Sequence, residues 1–157
     1  MDEPFSALDP LIRRQLQDEF RQLTKELGKS AVFITHDLDE AIRIGDRIAI
    51  MKDGVIIQTG TAEDIVMNPA DQYVADFVAG ISRLHLVKAH SVMVAPTGSV
   101  EGLPRCSPEA DIDALIGQIT ETGSDAIAVE ENGRVLGVVT TRNLLLGVRG
   151  DAAAQAA

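Results

Sequence analysis

The sequence predicts a mixed α/β chain made of two consecutive units, on three observations. Apolar residues recurring every three or four positions are followed by a short, wholly apolar run. An Asp-Gly turn then separates two β-rich runs. After a stretch crowded with Pro and Gly, a fresh helix–strand–turn–strand–helix pattern begins. With 157 residues and 45% hydrophobic content, the chain has room for one ordinary domain or two small ones and is not disordered throughout.

The first helix has Asp9 as its cap, Pro10 at its first position and Gly28 at its end. Ile12, Leu16, Phe20, Leu23 and Leu27 give it one face expected to be buried. Ala31–Thr35 has no polar alternate and reads as a short buried strand. His36 and Asp37 stand at its end, Asp37 capping a short helix with Leu38, Ala41 and Ile42. Runs 47–51 and 55–59 flank Lys52-Asp53-Gly54 as a hairpin. Helical segments follow around 62–67 and 71–78, broken by Asn68-Pro69.

Pro96, Gly98, Gly102, Pro104 and Pro108 mark 88–107 as a linker. Beyond it come a helix with Ile112, Leu115, Ile116 and Ile119, strand 126–129, the turn Glu131-Asn132-Gly133, strand 135–139 and a helix over 142–148. The tail, 151–157, is expected to fray.

A net charge of −10 excludes a general nucleic-acid binder, which would show a basic face. The lone Cys106 permits no intrachain disulfide, which suits a reducing compartment, and is read as a small apolar side chain. No stretch approaches the about 20 apolar residues of a membrane span. Met1-Asp2-Glu3 is acidic and has no secretory h-region, so a cytoplasmic protein is expected.

The chemistry gathers at Asp2-Glu3 and His36. In phosphoryl transfer one carboxylate supports magnesium while a neighbour orients or deprotonates the attacking water, and a histidine can sense the terminal phosphate. The string Met1-Asp2-Glu3-Pro4-Phe5-Ser6-Ala7-Leu8-Asp9 is similar to the Walker B end and D-loop of ABC-type ATPases. Phe33-Ile34-Thr35-His36-Asp37 resembles their switch-histidine segment. Gly54, Gly60-Thr61-Ala62-Glu63-Asp64-Ile65, Asn68-Pro69 and Tyr73–Val78 continue the match through the first half of the chain.

The resemblance implies ATP and Mg2+ as cofactors of the complete subunit. Asp2 would support magnesium through water, Glu3 would polarise the attacking water, and His36 would contact the γ-phosphate. Ser6 and Asp9 would face a second ATPase subunit across a homodimer. A Walker A loop, Gly-x-x-x-x-Gly-Lys-Ser/Thr, has no counterpart in these 157 residues. Gly28-Lys29-Ser30 follows a helix and precedes a strand, the reverse of the required order, and Leu23 stands where the first glycine is needed. The Q-loop and signature sequence are likewise missing, and Met1 falls on the last apolar position of the Walker B strand. The expectation is therefore the C-terminal part of a P-loop ABC ATPase domain with an incomplete sheet, inactive in ATP hydrolysis by itself.

Gly137-Val138-Val139-Thr140-Thr141-Arg142-Asn143, with Ser107–Ala110 leading into the preceding helix, resembles a single CBS motif. The expected division is 1–87, the ATPase part; 88–107, a linker; 108–150, a small α+β CBS-like unit; then the tail. In CBS modules a Thr or Ser and an Asp of this final turn bind the phosphate and ribose of an adenine nucleotide. Thr140 matches the first, and Asn143 stands in the place of the second, bringing no charge. CBS motifs pair, so this unit is expected to pair between two chains through the Ile112/Leu115/Ile116/Ile119 face. His85 and His90 have no metal-ligand neighbours and are read as structural or exposed.

An ABC ATPase followed by CBS material looks like the subunit driving uptake of glycine betaine, choline or proline. It would be peripheral on the inner face of the bacterial plasma membrane and bound to membrane-embedded permease subunits. The alternative is a non-catalytic regulatory or dimerisation module in which the CBS-like unit senses adenine nucleotide or ionic strength.

Overall fold

Asp9 starts the first element as its residue type dictates. Its carboxylate accepts from the Leu11 N–H at 2.9 Å, Pro10 takes the first helical position, and α1 runs Pro10–Leu27 until Gly28 ends it in the left-handed conformation. The computed structural model describes residues 1–150, and the tail expected to fray lies outside the described residues. The chain divides into two units. Unit 1 holds Met1–Ile65 and Ala70–Ala79; unit 2 holds Val66–Pro69 and the described chain from Gly80 on.

In unit 1, α2 (Leu38–Ile44) is capped by Asp37, whose side chain accepts from the Glu40 N–H. The hairpin β1 (Ile48–Lys52) and β2 (Val55–Gly60) is antiparallel. Asp53 and Gly54 both have positive φ, 50° and 78°, the tight turn whose twist matches the strands. Helices α3 (Ala62–Met67), whose last two residues fall in unit 2, and α4 (Gln72–Val78) follow, the latter capped by Asp71.

Two expectations fail in unit 1. Ile12, Leu16, Leu23 and Leu27 of α1 are exposed rather than buried. The residue α1 buries is Gln17, 3% exposed, whose amide donates to the Glu40 carboxylate, 6% exposed, at 2.8 Å. Helix α1 meets α2 along a polar seam, and of the expected apolar face only Phe20 is half-buried, against Phe5 and Phe33. The segment 31–35 is likewise not a strand buried on both faces. It is reduced to a parallel bridge between Asp2 and Ile34, with Val32 79% and Ile34 58% exposed. Phe33 turns inward, stacked on Phe5 with ring centroids 5.4 Å apart and meeting Phe20 edge-on at 5.3 Å.

From Gly80 on, unit 2 first forms α5 (Ala89–Val92) and β3 (Arg105–Cys106), so the segment 88–107 carries regular structure. Then come α6 (Ile112–Thr122), β4 (Ala126–Glu131), β5 (Arg134–Thr140) and α7 (Thr141–Arg149). The sheet order is β3-β4-β5, parallel then antiparallel. Asn132 and Gly133 repeat the turn of the first hairpin, with φ 52° and 79°. Proline and glycine do punctuate 88–107, yet its apolar residues decide its place. Ala89 and Val92 are buried in the core with Ile112, Leu115, Ile127, Val129, Val139 and Leu144, and Val94 bridges to Val138 of β5. Ile112 and Leu115, expected to seek a second copy, are fully buried in this core, while Ile116 is 40% exposed.

Removing the Gln17 amide leaves a buried carboxylate without its donor. Gln17→Ala should therefore lower stability by about 1–3 kcal/mol, read as an earlier urea midpoint. An unchanged midpoint would show that Glu40 reaches water instead.

Candidate functional site

The site is assembled by backbone pairing. Glu3 N–H donates to the Ile34 carbonyl at 2.9 Å, Ile34 N–H to the Met1 carbonyl at 2.9 Å, and the Met1 ammonium to the Val32 carbonyl at 2.9 Å. Parallel pairing puts the ends of both segments on the same side, so residues just past them meet. Glu3 leaves the pairing with φ 40°, in the left-handed region. A non-glycine residue there is uncommon, and such conformations gather at functional sites. The turn is held by Ser6, whose hydroxyl and N–H both donate to the Glu3 carbonyl, at 2.9 and 3.3 Å.

Across from it, His36 Nδ1 lies 2.6 Å from Glu3 Oε1. A carboxylate only accepts, so Nδ1 carries the proton and Nε2 is the ring's other nitrogen. The hydrogen bond to Glu3, then its charge, raises the His36 pKa above the ordinary imidazole value, and Asp37 and Glu40 add to it. Both side chains are substantially exposed, so the pair is a positioned contact and contributes little to stability. A cavity of about 50 Å3, enough for ordered water, is bordered by Glu3, Ser6, Arg13, His36 and Asp37.

Asp2 and Asp9 stand outside that border. Asp2 is exposed within the bridge to Ile34, and Asp9 is engaged as the cap of α1. Among the described residues no group of three or more His, Cys, Asp or Glu side chains could hold a metal. One exposed carboxylate suits magnesium, which keeps several waters and binds through one or two carboxylates together with substrate phosphates. Sequence reasoning missed Arg13 and Gln17. Their signal was weak: a polar stripe at helical spacing on a helix whose leucines promised the opposite.

In unit 2 the candidate pair forms a capping box at the start of α7. Thr140 Oγ1 accepts from the Asn143 N–H at 3.2 Å, and Asn143 Oδ1 accepts from the Thr140 N–H at 3.2 Å and from its hydroxyl. Asn143 is buried. His85 Nδ1 lies 3.4 Å from Asp111, whose pKa is lowered first by the hydrogen bond from Ala114 N–H. His90 Nδ1 lies 3.1 Å from the Pro108 carbonyl and 3.6 Å from Glu109. Both histidines tie together neighbouring segments of their own unit.

No family model matches the chain. Individual relatives are near. The trimethylamine N-oxide transport system ATP-binding protein TmoW of Ruegeria pomeroyi is 47% identical over 146 residues, covering 92% of this chain and 42% of the relative. The glycine betaine transport ATP-binding protein OpuAA of Bacillus subtilis is 45% identical over 88% of this chain and 32% of its own length. The glycine betaine/proline betaine transport system ATP-binding protein ProV of Salmonella typhimurium is 41% identical, over 92% and 36%. This chain is similar to the ATP-binding subunits of ABC transport systems.

The similarity to these ATP-binding subunits is to their C-terminal part, and the chain spans about two fifths or less of the length of the three named. A CBS domain-containing protein from Kribbella flavida aligns with 69% of this chain and 85% of its own at 19% identity and a TM-score of 0.27, too low to bear on the fold. Among the described residues no helix is long and apolar enough to cross a membrane.

Two measurements test the geometry. His36 binds its proton more tightly when folded, so this contribution is fully present below about pH 6.5 and is lost as pH rises through the folded-state value. Its imidazole resonances should titrate above that point, and Glu3→Gln should move the midpoint down. Thr140→Ala should cost about 1 kcal/mol through the lost cap, seen as a lower denaturant midpoint. Equal stability would mean the capping box does not hold α7.

Proposed function

We propose that this chain carries the water-activating and phosphate-sensing end of an ABC-type ATPase that energises uptake of a small quaternary amine or amine N-oxide. The names of the relatives, which concern glycine betaine, proline betaine and trimethylamine N-oxide, support that substrate class. The single observation that carries the reading is the Glu3–His36 contact at the paired ends of 1–3 and 32–34.

In this mechanism Glu3 orients a water and draws its proton as the water oxygen bonds to the terminal phosphorus of ATP. The bond from that phosphorus to the bridging oxygen breaks, and ADP leaves with the electron pair. His36, held by Glu3 through Nδ1, presents its other edge to the terminal phosphate oxygens. Asp2 would hold Mg2+ through water, which supplies neutralisation of the phosphate charge. Ser6 and Asp9, in the turn that ends at α1, would face a second ATPase subunit in a homodimer. The complete assembly would sit on the inner face of the plasma membrane against membrane-embedded permease subunits.

Unit 2 is read as a CBS-like regulatory unit following the ATPase part. The Thr140–Asn143 capping box supports a structural role for both residues more strongly than contact with adenine nucleotide, because the Asn143 carbonyl oxygen already accepts from Thr140.

The test uses a full-length ATPase that carries these 157 residues together with a phosphate-binding loop. Glu3→Gln should abolish turnover while ATP binding persists, and His36→Ala should cut turnover strongly. Near-normal rates in both would overturn the assignment. The 157-residue chain by itself should release no phosphate above background.

A further inference from the structure

Arg13 lies four residues past the cap of α1, its N–H on the Asp9 carbonyl at 2.8 Å. Its Nη2 donates to the carbonyls of Ser6 and Leu8 at 3.1 and 3.3 Å, and its Nη1 stands 3.8 Å from Asp37 Oδ2. Its Nε is buried and makes no hydrogen bond. Leaving a guanidinium N–H buried and unmatched is costly. The side chain keeps that position because its fork is held from two directions at once. The carbonyls belong to the turn that follows Glu3, and the carboxylate belongs to the residue that follows His36. One cation therefore spans the loops bearing both members of the site. Behind it, Gln17–Glu40 at 2.8 Å and Arg43–Asp18 at 2.7 and 3.0 Å continue the seam between α1 and α2.

We propose that Arg13 is a positioning residue that sets the turn after Glu3 against Asp37 and so keeps Glu3 and His36 at hydrogen-bond distance. The geometry stands without the proposed ATPase function, and its catalytic meaning rests on that reading. The planar fork matters: Nη2 donates to carbonyls on one side while Nη1 brings its charge to within 3.8 Å of a carboxylate on the other, which a lysine ammonium at the end of a flexible stem does not reproduce.

Electrostatics and positioning predict opposite signs. The charged groups facing the imidazole are Glu3, Asp37 and Glu40, with Arg13 bound to Asp37. Deleting a cation from that set favours protonation and raises the histidine's midpoint. Releasing Glu3 from His36 lowers it. In the 157-residue chain, with circular dichroism confirming the fold, Arg13→Ala should move the His36 titration down toward about 6.5; an unchanged or raised midpoint overturns the proposal. Should Arg13→Ala not fold, Arg13→Lys decides, because the charge remains: a lowered midpoint supports positioning, and an unchanged one overturns it. In the full-length ATPase, Arg13→Ala should lower kcat by about tenfold or more with the KM for ATP nearly unchanged. A raised KM at normal kcat would overturn it. If Glu3→Gln turns over normally while Arg13→Ala still lowers the midpoint, the ATPase reading fails and the positioning role stands.

Discussion

The site depends on one backbone constraint, the parallel pairing of Met1–Glu3 with Val32–Ile34. In an antiparallel pairing the far ends of the two segments would meet, and Glu3 would face the start of the 32–34 segment instead of His36. Parallel pairing aligns the ends, so the turn after Glu3 and the turn before α2 open side by side. Parallel neighbours need a crossover connection of a dozen residues or so, usually a helix. Helix α1 is that crossover. The Phe5–Phe20–Phe33 cluster seals it, each ring coming from one of the three parts it joins: the turn, the crossover and the second segment.

Polar contacts then set the fine geometry. The faces of α1 and α2 that meet carry Arg13, Gln17 and Asp18 against Asp37, Glu40 and Arg43. Hydrogen bonds fix angle and distance more narrowly than apolar packing does, since each donor must find its acceptor within a few tenths of an ångström. A contact of 2.6 Å between two exposed side chains, Glu3 and His36, needs such support. The leucines of α1, turned outward, mark a face left uncovered within unit 1.

Unit 2 is organised on a different principle. Its core is aliphatic, drawn from α5, α6, α7 and the sheet, and its polar side chains secure element ends. Asp111 caps α6 through Ala114, and Thr140 with Asn143 closes the start of α7. Gly147 lets α7 approach closely, since a Cβ there would stand 2.8 Å from Val92 and 2.9 Å from Ile112. Thr140 and Asn143 thus serve the scaffold at the start of α7.

Local chemistry was legible in the sequence because it acts over a few residues. Asp9-Pro10 and Gly28 bounded α1, Asp37, Asp71 and Asp111 were caps or lay beside helix starts, and Asp53-Gly54 and Asn132-Gly133 made the turns they favour. The motif order also brought Glu3 and His36 under suspicion together. Burial was another matter. Leu23 and Leu27 are helical and apolar in either case, and whether they are covered depends on what packs against them. The Pro- and Gly-rich span 88–107 read as a linker since its breaks are local signals, whereas Ala89 and Val92 earn their place through distant partners in β4, β5 and α7. Arg13 gave only a weak signal, a polar residue one helical turn before Gln17: the Ser6 and Leu8 carbonyls lie close in sequence, but Asp37 is brought to it only by the crossover. Sequence determined where elements start, stop and turn; tertiary structure decided which faces are buried and which polar groups meet, because those depend on contacts between residues far apart in the chain.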